Sequence, residues 1–251
     1  MSHHTIDFTA VCYHYPDGTP ALNDISLHIG HGESVAIVGA NGSGKSTLLA
    51  QLNGLLFPDS GEVNIGGYPV CPKTLPHIRQ TIGLVFQNPD DQLFMPTVYD
   101  DVAFGPINMG LPPADVEKRV TAALETVGAL ALKSRPPYRL SGGQKRSVAI
   151  ATVLAMEPSI LVMDEPTAEL DPFARRRLIN LLRTFPHTKI LATHDLDMAL
   201  DLCERTIILK SGRVLADGAT RELFFNQALL AEAQLEQPFA MQACPICSKK
   251  E

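Results

Sequence analysis

A glycine-rich segment between Gly39 and Ser46 limits the folds open to this chain more than any other feature of its sequence. The segment reads GANGSGKS and fits the phosphate-loop pattern G-x-x-x-x-G-K-[ST]. It follows a continuous apolar run at residues 34–38 and precedes a helical pattern that starts near Thr47. Such a run is typical of a strand buried on both faces of a parallel sheet. The context therefore predicts an α/β fold with a phosphate site at the end of this strand.

The residue types of this segment indicate how it would hold a nucleotide. Glycines let backbone N–H groups turn towards phosphate oxygens, and the positive end of the following helix points at the same anion. Lys45 would reach the β- and γ-phosphates, and the Ser46 hydroxyl would bind Mg²⁺. The residues expected to contact the nucleotide here are Gly39, Ala40, Asn41, Gly42, Ser43, Gly44, Lys45, Ser46 and Thr47. A nucleotide that carries β- and γ-phosphates is therefore the expected ligand, together with Mg²⁺.

Further apolar runs predict the rest of the main sheet. Buried strands are expected at residues 82–86, 160–163 and 190–192, separated by helical patterns. This alternation predicts an α/β protein with a mainly parallel sheet. Residues 206–209 and 214–216 are predicted to form a hairpin.

Two other regions are predicted as separate parts of one domain, which is expected to span residues 1–240 with a C-terminal tail at 241–251. Residues 6–29 mix short alternating runs with turn residues and predict a small antiparallel β region. The stretch of about residues 88–157 lacks a convincing strand and is predicted to be a helical insert. On the helix expected after Asp171, the run Arg175-Arg176-Arg177 is expected to form a solvated face.

Two carboxylates directly follow the apolar run at residues 160–163. Open α/β sheets bind their ligands at the carboxyl ends of the strands. Asp164 would hold Mg²⁺ through its water shell, and Glu165 would act as the general base that polarises the attacking water. An apolar run that ends in Asp-Glu is common by itself, so this hypothesis depends on the phosphate loop upstream.

A second glycine-rich helix start lies at Ser141-Gly142-Gly143-Gln144. Serine is a good N-cap residue, so one interpretation is a plain capped helix. The other interpretation is that these backbone amides complete a nucleotide site on another copy of the protein. The residues themselves leave both interpretations open.

The composition argues against several classes of protein. The formal net charge is −6 with a pI of about 5.7, whereas a nucleic-acid binder usually carries a basic face. No apolar run is long enough to span a membrane and the start does not read as a secretory signal, so the chain is expected to remain in the cytosol without inserting into the membrane. The five cysteines are scattered and odd in number, which argues against a disulfide framework. Cys244 and Cys247 offer two of the roughly four ligands of a structural zinc site, so an incidental tail is expected, although a site shared between subunits stays open.

The order of these motifs closely resembles the nucleotide-binding subunits of ATP-binding-cassette (ABC) transporters. The motifs are the phosphate loop, Gln87 after a strand, Leu140 to Gln144, Asp164-Glu165, Glu169 to Asp171, and His194 after another strand. The resemblance extends from about Tyr13 to Gly218. It implies a P-loop NTPase core in which two copies enclose two ATP molecules. Each ATP would be held by the phosphate loop of one copy and by Ser141, Gly142, Gly143 and Gln144 of the other.

The resemblance also implies roles for single residues. Gln87 would contact Mg²⁺ and water and sense the partner, His194 would lie at the γ-phosphate, and Tyr15 would support the adenine ring. The implied catalytic residues are Glu165, His194, Gln87 and Lys45, and the implied metal contacts are Ser46, Gln87 and Asp164. Glu169 is a mild departure, because the family more often has alanine or glycine there.

One segment resembles the energy-coupling-factor branch of this family, which imports cobalt, nickel and vitamins. Residues 85–94 read VFQNPDDQLF, and residues 13–18 agree with the same branch. The resemblance implies an integral membrane partner that contacts residues 87–110, a second identical or homologous ATPase subunit, and a peripheral location on the cytoplasmic face of the membrane.

The remaining choice concerns the transported solute and one rival class. The short chain is more similar to the cobalt and nickel members than to the vitamin members, which remain the alternative. A DNA-maintenance ATPase head of the ABC type is a weaker alternative. Its phosphate loop and Ser-Gly-Gly motif are usually separated by a long coiled coil, and here they share one short segment.

Overall fold

Two β-sheets form the framework of the protein, whose computed structural model describes residues 4–242. The strands are β1 Ile6–His14, β2 Pro20–Ile29, β3 Ser34–Val38, β4 Ser60–Ile65, β5 Tyr68–Pro69, β6 Ile82–Val85, β7 Ile160–Asp164, β8 Thr188–Ala192, β9 Arg205–Lys210 and β10 Arg213–Ala219. Both predicted sheet types, mainly parallel and antiparallel, are present.

The larger sheet has the strand order β10-β9-β3-β8-β7-β6. Its neighbouring strands are parallel except β9 and β10, which form the predicted antiparallel hairpin. All residues of β7 and β8 are buried, as the continuous apolar runs predicted. Because the central strands are parallel, the carboxyl ends of β3, β6, β7 and β8 lie at one edge of the sheet.

The smaller sheet is antiparallel, with the order β2-β1-β4-β5. It contains the β region predicted at residues 6–29, but the sequence analysis did not identify β4 and β5. Their exposed residues and flanking glycines resemble a loop more than a strand. Side chains of both sheets share one apolar cluster with α1 (Lys45–Leu52), where Ile37, Leu48 and Val63 are buried together. This packing fixes the smaller sheet next to the phosphate loop.

Helices cover the larger sheet and fill the connection between β6 and β7. Beyond α1 they are α2 Leu75–Thr81, α3 Val98–Asn108, α4 Pro113–Val127, α5 Gly142–Leu154, α6 Pro172–Thr184, α7 Leu196–Leu202, α8 Thr220–Phe225 and α9 Gln227–Glu232. The connection between β6 and β7 contains α3, α4 and α5, which share one apolar core that includes Val102, Val120 and Val148. This arrangement agrees with the expected helical insert.

The structure of residues 4–242 can be compared with two expectations that came from the composition, one about membrane-spanning segments and one about cysteines. None of the helices there combines the length and the apolarity that crossing a membrane requires. Cys12, Cys71 and Cys203 are free thiols, as expected for a chain without a disulfide framework. Cys244 and Cys247 lie outside the described residues.

The close packing of β6 against α5 depends on Gly83. A Cβ atom at this position would lie 2.2 Å from Cγ1 of Val153 and 2.9 Å from Cγ of Pro158. Both neighbours belong to the packed layer between the sheet and the helical insert, where side chains cannot move apart freely. The helical insert can therefore approach β6 only because position 83 has no side chain.

We predict that Gly83→Ala lowers the free energy of unfolding by about 1–3 kcal/mol, because the added methyl group overpacks this layer. Thermal and urea unfolding followed by circular dichroism would measure the effect. Gly218→Ala on β10 is the matched control, since its nearest neighbour would be Cδ2 of Leu223 at 3.7 Å, an ordinary contact. Equal stabilities of the two variants would contradict the packing argument.

Candidate functional site

The phosphate loop connects β3 to α1 at the carboxyl edge of the larger sheet. Gly44 has a φ of 105°, and a Cβ atom there would lie 2.7 Å from the carbonyl oxygen of Ala21. Both observations require glycine at this position. The first N–H groups of α1 have no acceptor within the helix, and the helix dipole gives this end a partial positive charge. The loop and the helix end together offer N–H donors to an anion.

The Lys45 side chain is buried against the loop that precedes it. Its Nζ donates to the carbonyl oxygen of Gly39 at 2.8 Å and to that of Ala40 at 3.3 Å. Only 7% of Lys45 is exposed. These contacts hold an ammonium group at the base of the loop, where it can form charge-assisted hydrogen bonds to phosphate oxygens.

A cavity of about 490 Å³ opens beside this loop, a volume typical of small-molecule sites. Its lining joins side chains from the smaller sheet, the phosphate loop, α1 and the ends of β6 and β7. The lining residues are Tyr15, Thr19, Pro20, Ala21, Asn41, Gly42, Gly44, Lys45, Ser46, Thr47, Gln87, Asp164 and Glu165. The cavity therefore combines predicted nucleotide, metal and base residues. The contribution of residues 19–21 depends on the smaller sheet and had no signal in the sequence.

Tyr15 stands at the rim of the cavity with 40% of its surface exposed. Its hydroxyl group hydrogen-bonds to Oγ1 of Thr47 at 2.8 Å. Its ring meets that of Tyr13 edge-to-face, with 5.4 Å between the centroids. A ring that is supported in this way can offer one face to a planar base.

Asp164 ends β7 with a buried side chain whose Oδ1 has no hydrogen-bond partner. Burial raises the pKa of this carboxyl, and the charge of Glu165 raises it further, whereas a hydrogen bond from Ser46 and the charge of Lys45 lower it. A buried, under-satisfied carboxylate beside a hydroxyl group fits a Mg²⁺ ion. The described residues contain no group of three or more His, Cys, Asp or Glu side chains suited to a metal. Mg²⁺ does not require one, because it usually binds to one or two carboxylates, water and substrate phosphates.

The structure brings Glu165 and His194 together. Glu165 is 6% exposed, and its Oε2 lies 2.8 Å from Nδ1 of His194. The same oxygen accepts hydrogen bonds from the Thr193 hydroxyl and the His194 backbone N–H, both at 3.2 Å. The contact with Thr193 was not predicted, because a threonine after a strand gives no distinctive signal. His194 itself is 69% exposed and lies beside the cavity rather than within its lining.

Gln87 follows β6 and is linked to α5 through a buried arginine. Arg146 is 2% exposed and donates from Nη1 to the carbonyl oxygen of Phe86 at 2.7 Å. Its Nη2 donates to the carbonyl oxygen of Gln87. The backbone position of Gln87, which lines the cavity, is therefore coupled to the helix that begins after Ser141.

Ser141 to Gln144 form the capped start of α5. The Ser141 side chain accepts from the Gln144 N–H at 3.4 Å, and Oε1 of Gln144 accepts from the Ser141 N–H at 3.1 Å, which makes a capping box. The capped-helix interpretation is thus borne out. None of these four residues lines the cavity beside Lys45, so a role at a nucleotide would have to involve another chain.

Glu169, the departure from the family pattern, lies near the same helix start. A Cβ atom built on Gly142 would be 3.2 Å from Oε2 of Glu169. A carboxylate at a helix N-terminus interacts favourably with the helix dipole. The sequence offered no physical account of Glu169, and this proximity gives one.

The expectation of a solvated Arg175-Arg176-Arg177 face is wrong for Arg175. Its side chain is half-buried and donates to Asp195 through Nε at 2.8 Å and Nη2 at 2.9 Å. Arg176 and Arg177 are exposed, and Arg176 pairs with Asp201 at 3.2 Å. The structural reason is that the first turn of α6 packs beside the turn after β8, which sequence periodicity does not reveal.

Comparison with known proteins identifies the family. The family model described as ABC transporter matches residues 22–168. A putative ABC transporter ATP-binding protein of Geobacter sulfurreducens is 63% identical over 249 residues, which are 99% of this chain and 100% of that protein. The energy-coupling factor transporter ATP-binding protein EcfA of Methanocaldococcus jannaschii is 45% identical over 95% of this chain and 88% of that protein.

A solved structure agrees with these relatives. The structure of cbiO1 from Clostridium perfringens, described as part of the ABC transporter complex cbiONQ, has a TM-score of 0.79 and 42% identity over 92% of this chain and 95% of that one. The motif resemblance is confirmed by the family match and by relatives that span nearly the whole chain. The chain belongs to the ABC transporter family, as an ATP-hydrolysing ATP-binding protein of the energy-coupling-factor branch.

Proposed function

We propose that this chain hydrolyses Mg-ATP as one of two paired cassettes that drive an importer from the cytoplasmic face of the membrane. One observation carries the proposal. The cavity beside Lys45 has a phosphate loop, a candidate metal ligand and a candidate base, but it is open and lacks the glycine-rich start of α5. A second cassette, identical or homologous, can supply that start. The relative EcfA, named as a transporter ATP-binding protein, supports the same function.

The phosphate loop and Lys45 hold the triphosphate in this proposal. The N–H groups at the start of α1 and the Lys45 ammonium group neutralise the phosphate oxygens. Ser46, Asp164 and Gln87 are the residues that would hold Mg²⁺, which when bound offsets the negative charge that develops in phosphoryl transfer. Tyr15 offers its ring to the adenine. These groups orient the γ-phosphate without reacting with it.

Glu165 acts as the general base of hydrolysis. Its carboxylate lines the cavity and is held from one side by Thr193 and His194. A water molecule between Glu165 and the γ-phosphate would lose a proton to this carboxylate as its oxygen bonds to the γ-phosphorus, while the bond from that phosphorus to the bridging oxygen breaks and ADP leaves. The His194 ring contacts the same carboxylate through Nδ1, and in this proposal its other ring nitrogen would contact the γ-phosphate.

The second cassette completes the enclosure with Ser141 to Gln144. Their helix start carries free N–H groups and a partial positive charge. Facing the γ-phosphate of the opposite copy, it would add donors that one chain cannot provide. Hydrolysis removes the phosphate that both chains contact, so the pair would separate after each turnover.

An exposed apolar patch is proposed as the surface for the membrane subunit. We define this partner surface as Phe94, Phe104 and Ile107, which are 65%, 44% and 59% exposed. The rings of Phe94 and Phe104 meet edge-to-face at 5.1 Å. Oδ1 of Asp101 accepts from the N–H groups of Phe94 and Met95, both at 3.0 Å, and so fixes the loop that presents Phe94. A firmly held apolar patch of this kind favours a protein partner.

Cobalt or nickel ions are the proposed cargo. The similarity to cbiO1 over 92% of the chain supports this choice, as does the resemblance of residues 13–18 and 85–94. The ion itself would be selected by the membrane subunits, so the cargo is tested through transport. Vitamin import is the alternative.

Glu165→Gln is expected to lower kcat for ATP hydrolysis at least about 100-fold, because an amide cannot accept the proton of the attacking water. Binding of Mg-ATP should persist, and the ATP-loaded variant should accumulate as a dimer. Phosphate release and equilibrium binding of a fluorescent ATP analogue would measure both. Glu157→Gln is the control, since the Glu157 side chain is exposed and pairs with Arg119. Normal turnover by Glu165→Gln would remove Glu165 as the base.

Ser141→Asp in the Glu165→Gln background is expected to prevent the ATP-dependent dimer while Mg-ATP binding continues. Aspartate is also a good N-cap, so α5 should remain capped, but its charge would repel the phosphate of a facing copy. Size-exclusion chromatography with light scattering would give the oligomeric state. Ala114→Asp adds the same charge to the first turn of α4 and serves as the control. Equal dimerisation of both double variants would contradict the proposed pairing.

Replacing Phe94 and Phe104 together by serine is expected to abolish co-purification of an integral membrane subunit and the uptake of cobalt or nickel. The ATPase activity of the isolated protein should not change, because the partner surface lies outside the nucleotide cavity. Mass spectrometry of the purified complex and metal uptake by cells would test this. Phe225→Ser, at a site 63% exposed on α8, is the control. Loss of vitamin uptake with normal metal uptake would establish the alternative cargo.

A further inference from the structure

Arg175 forms a partly buried ion pair with Asp195 near the proposed site. Its guanidinium group donates two roughly parallel hydrogen bonds to Asp195, from Nε at 2.8 Å and Nη2 at 2.9 Å. The side chains are only 26% and 21% exposed. A bidentate pair fixes the orientation of the carboxylate as well as its position. Arg175 therefore differs from an ordinary surface arginine.

Asp195 connects this pair to the turn after β8. Its carboxylate accepts from the Met198 N–H at 2.9 Å, which caps α7, and from the Thr167 hydroxyl at 3.3 Å. Its own N–H donates to Oγ1 of Thr193 at 3.0 Å. Burial tends to raise the pKa of Asp195, but the hydrogen bonds from Arg175 and Met198 outweigh it and lower the pKa overall. The carboxylate thus remains charged and available to both partners.

Thr193 is the final link, because its hydroxyl group reaches Glu165. The residue is fully buried and its N–H donates to the carbonyl oxygen of Ile37 at 3.1 Å, which anchors it to β3. Its hydroxyl accepts from Asp195 and donates to Oε2 of Glu165 at 3.2 Å. A continuous set of hydrogen bonds therefore runs from Arg175 through Asp195 and Thr193 to the carboxylate of Glu165.

We propose that Arg175 is a positioning residue for ATP hydrolysis, which through Asp195 fixes the turn whose Thr193 holds the Glu165 carboxylate. The inference rests on the proposed role of Glu165 as the base. Arg175 lies four residues after Asp171, so the same set of bonds joins the start of α6 to the base. Without the bidentate pair, the turn after β8 would still be anchored to β3 through Thr193. Asp195, however, would no longer be held by Arg175 of α6.

The primary experiment compares Arg175→Gln with Arg176→Gln. We expect Arg175→Gln to lower kcat at least about tenfold, since small misplacement of a catalytic group is costly, while KM and the Kd for an ATP analogue stay constant. Arg176→Gln should resemble the wild type, because Arg176 is exposed and its partner Asp201 also pairs with Arg183 at 3.3 Å. A purely structural role would change stability without this selective effect on kcat.

A second pair of variants tests the same link at its other end. Thr193→Val keeps the shape but removes the hydroxyl, and should lower kcat as Arg175→Gln does. Thr193→Ser restores the hydroxyl group and should recover most of the rate. This pair decides the question if Arg175→Gln fails to fold.

The link to Glu165 is tested by combining variants. In the Glu165→Gln background, Arg175→Gln should cause little further loss, because residues that act through one group are non-additive. Wild-type kcat in both Arg175→Gln and Thr193→Val, or a full further loss in the double variant, would overturn the inference. Active Glu165→Gln would instead refute the proposed base, so the two failures are distinguishable.

Discussion

The parallel pairing of β3, β8 and β7 is the constraint on which the site depends. Ile37 and Asp164 both pair with Ala192 of the central strand β8. Backbone hydrogen bonds continue past the strand ends. The Glu165 N–H donates to the carbonyl oxygen of Ala192 at 2.8 Å, and the Thr193 N–H donates to the carbonyl oxygen of Ile37 at 3.1 Å. Residues distant in sequence therefore leave the sheet at one edge with fixed spacing. The apolar strands thereby position the polar residues that lie at and just after their carboxyl ends.

The helical insert is tied to that edge by polar contacts rather than by apolar packing alone. The side-chain amide of Gln92 donates to the Ala149 carbonyl oxygen at 2.8 Å and to Oγ1 of Thr152 at 2.7 Å, and its oxygen accepts from the Phe86 N–H at 3.2 Å. Arg146 adds its bonds to the same strand end. Buried polar groups are costly unless paired, so these contacts are hard to separate. The segment after β6, α5 and its glycine-rich start should therefore move as one body.

The features that could be predicted most accurately from the sequence are those that a local pattern of residues determines. The continuous apolar runs of β3, β6, β7 and β8 and the phosphate loop are local signals, and they identified most of the cavity lining. By contrast, β4 is stabilised by pairing with β1, and β5 by pairing with β4, rather than by their own residues. Arg175 looked like one of three similar arginines, because only the tertiary packing of α6 places it beside Asp195.

The two interpretations of Ser141 to Gln144 show a different limit. The capping box pairs the N–H groups of Ser141 and Gln144 within one chain, so this helix start is stable without a ligand. None of these four residues lines the cavity beside Lys45. Because that cavity is open, a second chain could bring the same four residues to it. A sequence pattern can thus specify a local structure fully and still leave its function to a contact between chains.

At Glu165, backbone strain brings function and stability into competition. Glu165 has a φ of 47°, in the left-handed region that costs non-glycine residues roughly 1–2 kcal/mol. Glycine would adopt this conformation freely but would supply no carboxylate. The strained conformation persists because the backbone bond to Ala192 and the contacts of Oε2 with Thr193 and His194 fix both ends of the residue. Those contacts therefore do more than hold a side chain, since they also maintain the backbone geometry that aims Glu165 into the cavity.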